Sequence, residues 1–190
     1  MTTIRLALVA AAVAASGIHT PADAQGLAPG GARRGQRETS LLFGYGQNHR
    51  IPNGMLVRFG LQDLKYRTAR FRSPRSLMGY EFSVARQDGD IHQFSVSAIA
   101  DYRRYFLVRG RTAVGYDLGF GLLHLSKEVS GLATRLNFTE QVGIVLQHST
   151  GSNSALTAEY RFIHVSNAGI KAPDLGINAS VFSFGHTWYR

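Results

Sequence analysis

The segment Ala158-Glu159-Tyr160-Arg161-Phe162-Ile163-His164-Val165-Ser166 decides the fold. Side chains alternate across a β-strand, so Ala158, Tyr160, Phe162, His164 and Ser166 share one face. Glu159, Arg161, Ile163 and Val165 share the other. One face therefore carries aromatics beside a His and a Ser, and its reverse carries charge.

The same alternation recurs on both sides of this segment. Leu41, Phe43 and Tyr45 share a face, as do Met78, Tyr80, Phe82 and Val84. Phe94, Val96, Ala98, Ala100 and Tyr102 follow, then Val114, Tyr116, Leu118, Phe120 and Leu122. Phe138, Val142, Ile144 and Leu146 come next, and Phe182, Phe184 and Trp188 close the series. A second strand is expected with Met55, Val57, Phe59 and Leu61 on the apolar face. Turn residues separate the runs: Pro52-Asn53-Gly54, Asp88-Gly89-Asp90, Arg109-Gly110-Arg111 and Thr150-Gly151-Ser152-Asn153. No segment has a comparable helical period. The chain is all-β, with eight strands.

The face opposite the apolar one fixes the class. It carries glycines and small polar residues with an occasional charge, such as Glu81, Asp117 and Arg161. That suits the narrow interior of an eight-stranded antiparallel transmembrane β-barrel of the outer-membrane type, with aromatics turned to lipid. In hydrocarbon only a closed barrel satisfies every strand hydrogen bond. The soluble alternative is a lipocalin-like barrel with its apolar residues inside.

The N-terminus agrees with export. Arg5, the apolar run Leu6 to Ala15 and the A-x-A site Ala22-Asp23-Ala24 read as a signal peptide over residues 1–24. Residues 25–37, rich in Gly and Arg, read as a flexible lead-in, and 38–190 as the barrel. There is no cysteine, so no disulfide holds this exported domain. Formal net charge is +9, and removing the signal takes away one charge of each sign. A basic exported chain suits anionic partners such as phosphorylated lipids. Export and the lack of a binding motif argue against nucleic acid. His49, His92, His124, His148 and His186 show no metal-ligand spacing, so neither a metal nor a cofactor is implied. The arginines from Arg67 to Arg75 read as a basic periplasmic turn, and Trp188-Tyr189 as part of an aromatic girdle.

With the N-terminus in the periplasm, His164 and Ser166 fall at the outer end of strand seven, facing lipid. Residues two apart on a strand bring an imidazole within reach of a hydroxyl. A serine needs such a base to become a nucleophile, and the reaction needs donors for the oxyanion. Asn167 and the Gly169 turn are placed to supply them.

The run His164-Val165-Ser166-Asn167-Ala168-Gly169-Ile170-Lys171, followed by Pro173, Gly176 and Ile177, resembles the C-terminal signature of the PagL family of outer-membrane lipid A 3-O-deacylases. The likeness is densest over residues 158–180, and Leu136-Asn137-Phe138 with Gly143 extends it. The resemblance implies removal of the ester-linked 3-position acyl chain of lipid A. Ser166 would be nucleophile and His164 general base, with Asn167 and the Gly169 amide as oxyanion hole. Its partner would be lipopolysaccharide in the outer leaflet, and a homodimer is compatible with it.

The chain departs from the family pattern at Asn178, where a Glu would orient the histidine. An Asn carbonyl accepts the Nδ1–H without bringing charge. Glu140 on the lipid-facing parity of strand six, or Asp174 in the turn, would be the substitute acid. The alternative is a catalytically silent barrel that binds or stabilises lipopolysaccharide.

Overall fold

The computed structural model describes residues 32–49 and 58–190. Eight antiparallel strands pair in sequence order and close on themselves, β1 with β8. They are β1 (Arg37–His49), β2 (Phe59–Ser73), β3 (Ser76–Gly89), β4 (Gln93–Arg109), β5 (Thr112–Leu125), β6 (Leu136–Ser149), β7 (Ser154–Ser166) and β8 (Ile177–Tyr189). Short turns at 74–75, 110–111 and 150–153 join strands at the end where β1 begins and β8 ends. Longer loops at 126–135 and 167–176 lie at the other end. The expected signal peptide, most of the lead-in and the Pro52-Asn53-Gly54 turn fall outside the described residues.

The apolar parity points outward. Phe43, Tyr45, Tyr80, Phe82, Phe120, Phe182 and Phe184 are each more than half exposed, on a wall where water would penalise them and lipid would not. The inward parity is mostly polar and buried, which removes the lipocalin-like alternative.

Inside, the charges are far more numerous than occasional. Six acids and four bases are buried: Glu38, Asp63, Glu81, Asp101, Asp117 and Glu159 with Lys65, Arg67, Arg103 and Arg161. Arg67 meets Glu81 at 2.6 Å, Glu159 at 2.5 Å and Asp101 at 3.4 Å. Arg103 meets Glu38 at 2.9 Å and Glu159 at 2.8 Å. Arg161 reaches Glu81 at 3.0 Å and Asp117 at 3.1 Å. Burying such charges is costly unless they are paired; the three arginines each meet several carboxylates, and Lys65 pairs with Asp63 at 3.4 Å.

Apolar layers cap the network. Leu125, Val129, Leu132, Val165, Ile177 and Val181 cluster at the loop end. Phe71, Leu77, Tyr105, Ala113, Val145 and Tyr189 cluster at the other. The cavity beneath the loop-end cap holds about 40 Å³, room for a few waters. This lumen is a packed core rather than a pore.

Three expectations are corrected. Phe59 and Leu61 point into the lumen, because the β2 alternation runs on to buried Asp63, Lys65 and Arg67 and carries them inward. The start of that strand sits in the apolar loop-end cap, so apolar residues face in there. Arg67 is accordingly a lumen residue; the exposed basic side chains at the turn end are Arg70, Arg72 and Arg75. Tyr189 is buried, its hydroxyl donating to Gln147 Oε1 at 2.9 Å, whereas Trp188 lies on the outward parity.

Candidate active site

The site begins with strand register. His164 stands directly opposite Glu140 on β6 and Asn178 on β8, and Asn178 stands opposite His49 on β1. Directly opposed side chains on one face have Cβ atoms about 5 Å apart. Glu140, His164, Asn178 and His49 therefore form a polar row across four neighbouring strands, on an otherwise apolar wall.

Within the row, the His164 Nδ1–H donates to Asn178 Oδ1 at 2.6 Å. That contact fixes the tautomer and leaves Nε2 with a free lone pair. Gly176 holds the ring from the loop side. Its φ is +67°, and a Cβ there would stand 2.9 Å from His164 Cε1, so only glycine permits both the turn and the imidazole.

Glu140 shares the row but makes no hydrogen bond or ion pair among the described residues. The histidine partner is Asn178, and the substitute acid expected at Glu140 is not engaged. Ser166 is half-buried at the end of β7, opposite Phe138. It lies on the same face as His164, yet no hydrogen bond joins the two; catalytic contacts are often long before substrate binds.

Asn167 and Gly169 are differently arranged from the expectation. Asn167 is 1% exposed, and its side-chain amide donates to Lys171 O at 2.7 Å, stapling the turn. The converging amide donors of this turn belong to the backbone instead. Ala168 and Gly169 have φ of 56° and 73°, and successive left-handed residues turn amides toward one point. The Asn167 N–H donates to Asp174 Oδ1 at 3.1 Å and the Gly169 N–H to Asp174 Oδ2 at 2.8 Å. Two amides thus converge on one carboxylate. Asp174 does not partner the histidine: its carboxylate fills the cradle made by the Asn167 and Gly169 amides, next to Ser166 in the chain.

The loop bearing that cradle is tied down. Leu175 N–H donates to Gly131 O at 2.8 Å and Ala133 N–H to Pro173 O at 3.1 Å. Loops 126–135 and 167–176 therefore cover the lumen cap together.

Sequence reading missed a second polar cluster. His49 Nε2 and Ser180 Oγ are 2.7 Å apart, and Tyr160 OH lies 2.8 Å from the same oxygen. The His49 ring stacks on Phe162 at 6.3 Å with 7° between planes. The outward parity of Ser180, shared with Asn178 and Phe182, was the available signal. Its pairing with a histidine 131 residues away was not. Among the described residues no cluster has the ligand set of a metal site.

An eight-stranded barrel with a buried polar interior, an apolar outer band and a polar row on its outer wall defines an outer-membrane protein of the transmembrane-barrel class. The family model described as lipid A 3-O-deacylase (PagL) matches residues 58–187, and the chain belongs to that family. No curated protein matches it by sequence. Among solved structures it is similar to the outer membrane enzyme PagL, with TM-score 0.62 and 17% identity over 77% of this chain and 97% of that one. Neisserial surface protein A (NspA) gives TM-score 0.59 and 12% identity over 81% and 98%. The outer membrane protein OprG from Pseudomonas aeruginosa gives 0.53 and 6% over 86% and 99%. At these identities the likeness is one of fold.

Proposed function

We propose that this barrel is an esterase that removes the 3-O-linked acyl chain of lipid A by a Ser–His mechanism. The observation that carries the reading is the His164–Asn178 contact on the lipid-facing wall, two residues from Ser166 and within the matched family segment. A substrate that is itself a membrane component can reach this wall by lateral diffusion, with its chains beside the aromatic band.

The steps follow from the donors and acceptors. Ser166 Oγ attacks the ester carbonyl while His164 Nε2 takes its proton. Asn178 Oδ1 holds the Nδ1–H throughout, so the ring stays in the useful tautomer. The oxyanion is received by the Asn167 and Gly169 amides, after the Asp174 carboxylate withdraws from them. Collapse breaks the bond to the sugar oxygen, which leaves with the proton from Nε2. Water, deprotonated by the same nitrogen, then frees the fatty acid from Ser166. Residues 1–24 would direct export to the outer membrane, with the loop end outward.

Two observations favour a second reading, a silent barrel that only binds lipopolysaccharide. Asn178 supplies no charge to an imidazolium, and Asp174 fills the cradle. Mass spectrometry of lipid A from cells making the protein separates the two. Loss of one ester-linked acyl chain is expected; unchanged lipid A around a folded barrel would favour the silent one.

A further inference from the structure

The geometry points to a chain-recognition subsite at His49, Ser180 and Tyr160, which takes a hydroxyl group on the acyl chain of the bound amphiphile. This rests on the reading that an acyl ester lies at His164.

Depth argues for the ligand class. Ser180 is two residues along β8 from Asn178 and directly opposite Phe162. It therefore lies about 6–7 Å farther from the loops than the His164 row, on the side where chains rather than sugar would lie. Phe162 stands opposite it on β7 and Gln47 opposite it on β1, Phe182 is two residues along, and Tyr45 is opposite Phe182. A charged phosphate is out of place among these rings, whereas a single hydroxyl on a hydrocarbon chain fits.

Hydrogen-bond accounting gives the same answer. Ser180 Oγ has one hydrogen to give and two lone pairs. If it donates to His49 Nε2 and accepts from Tyr160, the His49 Nδ1–H remains available. If His49 donates instead, the Tyr160 O–H remains. Either way the trio keeps a donor and an acceptor on a wall where unspent polar groups are costly. In the second arrangement the spare Tyr160 O–H lies beside the Ser180 and Tyr160 lone pairs, where one hydroxyl, which both accepts and donates, can satisfy both.

Binding tests this without requiring turnover. The probes are N-(3-hydroxydecanoyl)glucosamine and N-decanoylglucosamine, whose amides resist hydrolysis. They are titrated in detergent micelles into the folded full-length barrel carrying Ser166→Ala, and affinity is read from NMR chemical shifts. The hydroxylated probe should bind about tenfold tighter, since a site built to hydrogen-bond a hydroxyl rejects the analogue lacking it. Ser180→Ala and Tyr160→Phe should each bring the two probes to within about twofold. Equal affinities in the parent barrel would overturn the subsite. So would a preference that survives both changes together in a barrel that still migrates as folded on unheated gels. A preference without any hydrolysis by wild-type protein would leave the subsite standing and remove the esterase.

Discussion

The lumen and the outer wall use similar residue types to opposite ends. In the lumen, Arg67, Arg103 and Arg161 each meet several carboxylates, the groups are almost wholly sealed from water, and apolar caps close both ends. On the wall, His164 has one partner, while Glu140 and Ser166 have none among the described residues. Mutually satisfied charges hold a structure. Polar groups left with spare capacity in a lipid-facing wall cost stability and make sense as groups that await a ligand. The contrast gives folding to one set and, on the proposed reading, chemistry to the other.

The largest effect should come from the wall. Ser166→Ala should lower acyl release at least about 10³-fold, the scale of removing a nucleophile, with no loss of the heat-sensitive folded band on gels. Loss of that band would place Ser166 on the structural side. The lumen should behave in reverse. Arg161→Met leaves four carboxylates short of a partner and should destabilise the barrel by about 3–5 kcal/mol, read by urea-induced unfolding in micelles. Turnover per folded molecule should stay within about twofold.

Smaller effects test the histidine and its surroundings. Asn178→Leu should cost about 10²-fold in kcat, because the imidazole loses its tautomer lock. Asn178→Asp should raise kcat, by up to about tenfold, through stabilising the imidazolium. Asp174→Ala should raise kcat about threefold by emptying the amide cradle. A fall would mean that Asp174 shapes the turn more than it occupies it. Glu140→Gln should leave kcat within about twofold, since nothing in the row touches that carboxylate. A large loss there would reopen Glu140 as the acid serving His164.

Much of this contrast was legible in the sequence. Period-two alternation fixes which side chains share a face, and that rule placed His164 and Ser166 outward on β7. It misplaced Phe59 and Leu61 because apolar residues are also wanted inside, beneath the loops, and parity does not say which apolar face is which. The density of the ionic core was hidden because its members come one to three at a time from six strands and meet only when the barrel closes. Asn178 as the histidine partner could be suspected from the family resemblance, but the β7–β8 register was needed to set it opposite His164. The reach of Asp174 to two amides depends on the left-handed turn at Ala168 and Gly169, which no residue pattern spells out for an alanine. His49 joins Ser180 only because β1 closes against β8.

The central claim is that the reactive serine sits on the lipid-facing wall beside His164. Labelling the folded barrel with a long-chain alkyl fluorophosphonate, followed by peptide mass spectrometry, tests it most directly. A single adduct on Ser166 that disappears in His164→Ala is expected. An adduct on Ser180, or no adduct on a correctly folded barrel, would contradict it.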